Sequence, residues 1–394
     1  MLRNSLLLIL LATFFLGIGS PATAATEDTF KPYVFASMAH DSNLLRLPAG
    51  SVNTADFIHQ TGAGMNLDWT ISRQQILLTA AINDNRFDRY SVLDYHGRDL
   101  WGRWNWQLDD YLSGDFGYTN SLMIGSFANQ QALVSNQRIQ ERSFFDGLWT
   151  FHPNWRIGIG VSKYKLTYPD TAQRKWSRID DVWETSLLYV SNTASKLGIK
   201  LRETDGSLPN QTPDYILSID NAYRQREVLG TLDWNDNGHN LFQGQIGTVQ
   251  RNHAHYSSRD YIDMNARGTY TWLPTTALKL NTSAWHEITA YDDLTSNYSL
   301  NRGISLQPSW GATSTITVSS QIQYETYNFL GNPNIQGSTP TRKDISVTRN
   351  IAISYQPNPN LSFDLSMEND KRGSNQSIYD FNSNAINCSA TFKM

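Results

Sequence analysis

From residue 57 to the end of the chain, apolar and polar residues alternate with period two in segment after segment. That pattern restricts the chain to strands with two unlike faces. In 57–71, Phe57, Ala63, Met65, Leu67, Trp69 and Ile71 share one face, opposite Gln60, Asn66, Asp68 and Thr70. In 100–108, Leu100, Trp104, Trp106 and Leu108 oppose Trp101, Arg103, Asn105 and Gln107. In 262–272, Ile262, Met264, Ala266, Tyr270 and Trp272 oppose Asp263, Asn265, Arg267, Thr269 and Thr271, and 361–368 repeats the rule with Leu361, Phe363, Leu365 and Met367. Beyond residue 25 no segment keeps a 3.6-residue apolar period and none forms the long apolar run of a spanning helix.

Alternation alone also suits a soluble sandwich, and composition argues against that. The 394 residues are 40% hydrophobic but only 17% charged, against about 25% charged in ordinary soluble domains. The polarity, a mean hydropathy of −0.45, comes from Asn, Ser, Thr, Gln and Gly. With Trp 12, Tyr 19 and Phe 16, a sandwich would leave many rings in water. Lipid outside and water inside accommodates both faces. The formal net charge of −4, with no basic block, excludes nucleic acid as a partner.

The N-terminus reads as an export signal. Arg3 is the positive n-region, Leu6 to Ile18 the apolar stretch, and Ala22-Thr23-Ala24 the small-residue cleavage site. Residues 1–24 are therefore expected to be removed, leaving 25–394 as one domain. The one cysteine, Cys388, has no partner for an intrachain disulfide.

Turn spacing sets the architecture. Tight turns centre near Ser72, Asp110, Pro153, Thr193, Asn237, Thr275, Ser309 and Asn358, about 41 residues apart. Each interval holds two strands of about ten residues, one short turn and one long loop, the asymmetry of transmembrane barrels. Long loops are expected at 40–56, 84–99, 120–140, 166–182, 202–221, 250–261, 286–298, 326–344 and 368–379. Eight turns between nine loops predict an all-β, antiparallel outer-membrane barrel of about 16–18 strands, best 18, with both termini periplasmic. A propeller also repeats near this length, but no per-blade motif occurs. Trp69, Trp106, Phe151, Trp155, Trp234, Trp272, Trp310 and Tyr355 flank the short turns and form the expected aromatic girdle in outer-membrane lipid. The last strand, about 380–392, brings Phe392 to the outer face. Arg302 and Arg349 fall in phase with the lipid face, where a midplane Arg costs about 2–4 kcal/mol. Their phase predicts either a bulge nearby or displaced strand limits.

Several short motifs carry a family likeness: Asp41-Ser42-Asn43-Leu44-Leu45-Arg46, then Ile71-Ser72-Arg73-Gln74, Asn85-Arg86-Phe87-Asp88-Arg89-Tyr90, Leu93-Asp94-Tyr95 and Trp104-Asn105-Trp106. With them the chain resembles the EpsL-type, exosortase-associated outer-membrane proteins of exopolysaccharide biosynthesis, most densely over 33–120. The resemblance implies a part in exporting an extracellular polysaccharide. Its implied partners are the polysaccharide, a periplasmic polysaccharide-export protein and inner-membrane polymerisation machinery. It carries over no catalytic residue.

A barrel of eighteen strands is wide enough for a water channel. The inward phase collects Arg103, Arg156, Arg267 and Lys279 with Asp68, Asp115, Asp146, Glu184 and Asp364, and the rings of Trp101 and Trp285. Aromatic faces pack against the C–H faces of sugars, and polar neighbours bond the hydroxyls. The candidate lumen set is therefore Trp101, Arg103, Asp68, Asp146, Arg156, Arg267, Trp285 and Asp364. Chemistry of other kinds finds little footing. His253 and His255 share one face of an extended segment without a third ligand at metal spacing. Asp180-Asp181 and Asp292-Asp293 are loop acids, and no nucleophile elbow, zinc-protease motif or phosphate loop occurs. The sequence predicts a polysaccharide export channel without enzymatic activity, metal or cofactor. The alternatives are a non-conducting docking protein of the export machinery and a general diffusion porin.

Overall fold

The structure, a computed structural model, describes residues 29–394 apart from 215–218, 237, 291–295 and 332–341. The predicted signal segment lies outside the described residues. Alternation becomes pairing in eighteen strands. They are β1 (Phe30–Asp41), β2 (Asp56–Ile71), β3 (Gln74–Phe87), β4 (Tyr95–Leu108), β5 (Leu112–Ile124), β6 (Gln137–His152), β7 (Trp155–Thr167), β8 (Arg178–Val190) and β9 (Lys196–Ser207). The second half holds β10 (Ala222–Asp236), β11 (Asn240–His253), β12 (Tyr261–Trp272), β13 (Leu278–Ala290), β14 (Tyr298–Gly311), β15 (Ile316–Leu330), β16 (Lys343–Asn358), β17 (Leu361–Ser374) and β18 (Phe381–Lys393). Every strand pairs antiparallel with its sequence neighbours, and β1 also pairs with β18 from Tyr33↔Lys393 to Asp41↔Ala385. The sheet is a closed barrel with no free edge, the all-β arrangement that satisfies every backbone group inside lipid.

Nine connections at one end are the extracellular loops: L1 (42–55), L2 (88–94), L3 (125–136), L4 (168–177), L5 (208–221), L6 (254–260), L7 (291–297), L8 (331–342) and L9 (375–380). Eight shorter ones at the other end are the periplasmic turns. Ser72 and Asp109 take positive φ there, at 55° each, as tight hairpin turns demand. Seven turns form where the sequence placed them. The turn expected at Ser309 forms at 312–315 instead, because β14 continues to Gly311. Pro308, which suggested the break, is accommodated inside the strand. Pairing with β15 stops at Leu306↔Ile322 and resumes at Ser309↔Ser319, so the missing proline N–H costs one local gap rather than the strand.

Register fixes the two faces. Trp69 pairs with Ile76, Ile76 with Trp104, and Trp104 with Phe116, one unbroken outward row across four strands. Seven girdle residues, Trp69, Phe151, Trp155, Trp234, Trp272, Trp310 and Tyr355, are exposed on this face. Trp106 is half-buried and stacks on Phe145 at 6.0 Å. Phe392 is exposed between Leu361 and Val34 at the closing seam.

The strands run 12–16 residues, longer than the expected ten. Since 9–11 tilted residues span the hydrocarbon, the surplus stands above it and shortens the loops. This resolves the two arginines. Arg302 pairs with His286 and Thr326, and Arg349 with Asn369 and Ile322, both without a register shift. The only bulge on β16 lies lower, between Tyr355 and Asn358. Both arginines do face outward, but each sits ten residues above its periplasmic turn. With a rise of about 3.3 Å and a tilt of about 40°, that places them about 25 Å up, at the top of the apolar band. Lys163 and Arg98 occupy the same height on other strands. Midway up, Ile199 is exposed between Leu197 and Leu201. Ile199→Arg is expected to destabilise the barrel by about 2–4 kcal/mol, whereas Arg302→Leu is expected to leave urea unfolding in lipid vesicles nearly unchanged.

Candidate functional site: the mouth and lumen

Three extracellular hairpin loops are built on one plan. Ser91-Val92-Leu93-Asp94-Tyr95, Ser257-Ser258-Arg259-Asp260-Tyr261 and Ser377-Ile378-Tyr379-Asp380-Phe381 each form a short 3₁₀ turn. In each, the aspartate N–H donates to the serine carbonyl, at 3.0–3.1 Å. Its carboxylate accepts the last backbone N–H of the preceding strand: Phe87 at 2.8 Å, His253 at 2.7 Å and Ser374 at 2.5 Å. The aromatic residue then opens the next strand. The residue before each aspartate, Leu93, Arg259 or Tyr379, points into the mouth. Asp56 and Asp220 brace two of these loops from outside, accepting N–H groups of Arg89 and Tyr90, and of His255 and Tyr256. The segments that carried the family likeness in 85–95 are therefore loop-forming.

The Asp41–Arg46 motif folds L1 inward. Asn43 ties the loop by its side chain, donating to the Leu47 carbonyl at 2.8 Å and accepting from Thr54 Oγ1 at 2.9 Å. Arg46, at a φ of 57°, reaches back to Asp41 at 2.8 Å. Leu44 and Leu45 of L1, Phe87, Leu93 of L2 and Phe127 of L3 form a buried apolar cluster. L3 thereby leaves the wall and crosses the mouth. Gln131, also at positive φ, donates to the Arg46 carbonyl at 2.6 Å, and Gln173 of L4 donates to Gln130 at 3.3 Å. The L3 tip lands on β17, six strands round the ring from β5: Arg372 donates to Asn129 Oδ1 at 2.9 Å and to the Ala128 carbonyl.

The landing platform alternates rings and guanidinium groups. Arg342 lies 4.4 Å from the Phe329 ring and 3.5 Å from Tyr379, and Arg372 lies 4.8 Å from Phe381. Buried Asp344 pairs with Arg342 and faces Arg372 at 3.9 Å. Stacked and ion-paired, these long side chains are held in place, as desolvated arginines must be to offset their burial.

Below the mouth, register turns all eight candidate lumen residues inward, though not into one site. Arg103 makes a two-pronged bond to Asp115, at 2.7 and 2.9 Å, and Asp115 pairs across the strands with Asp146. A cavity of about 460 Å³ opens there, lined by Asn105, Asp115, Asp146, Glu184 and Lys200. Asp68 and Trp101 border a second recess of about 250 Å³ with Lys31 and Thr79. Arg267 lies nearly across the lumen, bonded twice to Glu287 at 2.7 Å and stacked 5.0 Å from Trp285. Trp285 donates to Glu325 at 2.9 Å and covers Gly303, where a Cβ would stand 2.3 Å from the ring. Arg156 of β7 and Asp364 of β17 stand apart, about half the ring from each other. Glu184 bridges Lys200 and Arg202, and Arg202 continues to Glu227 at 3.4 Å.

The remaining acid and histidine candidates separate. Asp180 and Asp181 lie in β8, not in a loop, and so face opposite ways: Asp180 accepts from the Tyr223 hydroxyl at 2.6 Å, while Asp181 pairs outside with Lys163 at 2.9 Å. Asp292-Asp293 lies outside the described residues. His253 and His255 contact different carboxylates, Asp260 and Asp220. Among the described residues, no three His, Cys, Asp or Glu side chains group as metal ligands.

The barrel has counterparts among solved structures. It superposes on outer-membrane protein OpdK of Pseudomonas aeruginosa with a TM-score of 0.51 and 10% identity, covering 93% of this chain and 99% of that one. The chain shares its fold. OccK2 (OpdF) of the same organism, solved in complex with glucuronate, gives 0.53 at 10% identity over 94% and 100%. OccAB3 of Acinetobacter baumannii gives 0.51 at 8% over 93% and 99%. No protein-family model and no curated protein matches the sequence. Fold and lipid-facing belt together place the protein in the bacterial outer membrane.

Proposed function

We propose that the protein is a passive channel for small hydrophilic solutes, the diffusion-porin alternative of the sequence reading, and that acidic sugars are among them. The observation that carries this reading is the L3 crossing. A loop that leaves the wall at β5 and is bonded again at L1 and β17 narrows the mouth, which favours single small molecules over a polymer. The lining is polar, its charges are mixed in sign, and none converges on a reaction centre, so no catalytic role is proposed. Arg138 and Arg142 line β6 just beneath L3, and neither makes a salt bridge among the described residues. They give a carboxylate-bearing sugar a partner on entry, in keeping with the glucuronate seen in OccK2.

Polysaccharide export with the EpsL-type partners is the second reading, favoured by the Asp41–Arg46 and 85–95 motifs. Liposome swelling separates the two. Reconstituted protein is expected to admit glucose and glucuronate and to exclude dextran oligomers. Swelling no faster than in protein-free liposomes would favour the non-conducting docking role, and dextran entry would favour export.

A further inference from the structure

The outward charges at the top of the apolar band are distributed unequally. On β3 through β10 most come as partners: Arg86 with Asp84 at 2.8 Å, Lys163 with Asp181 at 2.9 Å, Arg224 with Asp205 and Arg226 with Glu203 at 2.7 Å, while Arg98 of β4 donates to the amide of Asn120 at 2.8 Å. On β14 through β17 the outward face carries Arg302, Arg349 and Lys371 at this height, with Lys343 at the upper end of β16, all exposed. Among the described residues no carboxylate side chain faces outward anywhere on β11 through β18. Arg302 instead donates to Nδ1 of His286 at 3.1 Å, and Arg349 to the amide oxygen of Asn369 at 3.0 Å. Arg349 and Lys371 are diagonal neighbours across β16 and β17, with Cβ atoms about 7–8 Å apart. Apolar Ile351, Ile353 and Met367 lie directly below them, exposed to lipid.

We propose that this sector is a docking site for the phosphorylated headgroup of an outer-leaflet glycolipid of the lipid A type. Three properties select that occupant. The cations stand where the hydrocarbon ends, which is the depth of a headgroup phosphate rather than of a dissolved ion. The apolar residues beneath them continue down the wall, so acyl chains of the same molecule have a surface to lie on. Their positive charge meets no carboxylate among the described residues, while most cations at the equivalent height on the opposite wall are ion-paired within the chain. Guanidinium and ammonium groups at such a boundary bind phosphate oxygens by charge-assisted hydrogen bonds, and each adds to membrane-surface attraction.

Native mass spectrometry of the folded protein in detergent, incubated with diphosphoryl lipid A, tests this. The wild type is expected to retain the lipid and to lose it as ionic strength rises. It should retain the dephosphorylated form at least about tenfold less, as expected when charge-assisted contacts dominate. The triple variant Arg302→Gln, Arg349→Gln, Lys371→Gln should match that loss. The control Lys163→Gln, Arg224→Gln, Arg226→Gln, at similar height on the compensated wall, should retain lipid as the wild type does. Wild-type retention indifferent to the phosphates overturns the proposal without recourse to any variant. Equal retention by the triple variant also overturns it. A homodimer dispersed by the triple substitution, with no lipid retained, would assign the face to a second copy of this chain instead.

Discussion

Removing the L3 tip, residues 126–132, is expected to raise single-channel conductance severalfold while leaving a folded barrel. The barrel is held by its strand ladder and closed at β1–β18, and L3 contributes nothing to that ladder. What L3 does contribute is an obstruction: Phe127 anchored in the L1–L2 cluster, Gln131 on Arg46, and Ala128 and Asn129 on Arg372. Arg372→Ala is a gentler version. It cuts both bonds between β17 and the L3 tip but leaves Asp344 paired with Arg342, so no buried carboxylate is stranded. Its conductance is expected to be noisier and higher than the wild type's, with heat-modifiable migration in gels unchanged. Unaltered conductance in both variants would mean that L3 does not limit the opening.

Reversing a lumen charge is expected to shift ion selectivity with little effect on folding. Arg103→Glu replaces the guanidinium bonded to Asp115 by a third carboxylate beside Asp115 and Asp146, at the edge of the 460 Å³ cavity. Arg267→Glu does the same against Glu287 across the lumen. Because wall charges set the field that permeating ions meet, reversal potentials in a salt gradient should move severalfold toward cations. Folded yield should largely hold, since both arginines are part-exposed at the lumen wall and exposed pairs contribute only about 0–1 kcal/mol each. Selectivity that ignores both reversals would mean that ions do not pass these walls.

Much of this fold is legible in the sequence because each strand meets two solvents. Leu197, Ile199 and Leu201 must be apolar and Lys200 must not, and a period of two records that constraint residue by residue. The turns at Ser72, Pro153 and Thr275 announce themselves through the same residue types that bend any chain. Pro308 misleads because proline is tolerated where one ladder bond is missing, a property of pairing rather than of sequence. The inward phase of Trp101, Arg103, Arg267 and Trp285 is equally readable, but their partners are not. Arg267 meets Glu287 and Trp285 meets Glu325 only once the register is known.

The mouth is hardest to read. Leu44, Leu45, Leu93 and Phe127 are single apolar residues in polar loops, far apart in sequence, with no periodicity to flag them. Arg342, Tyr379 and Arg372 stack only because L8, β17 and L9 meet at one rim. One signal was available: Ser-x-x-Asp followed by an aromatic residue at 91–95, 257–261 and 377–381. Three copies at hairpin loops announce a shared turn that aims one side chain inward.

Conduction is tested most directly by the current through one wild-type protein in a planar lipid bilayer. Discrete, long-lived conductance steps are expected, ohmic at low voltage and reduced reversibly by millimolar glucuronate. A barrel that inserts, shown by its heat-modifiable migration and β spectrum, yet carries no current above the bare bilayer would contradict the channel reading.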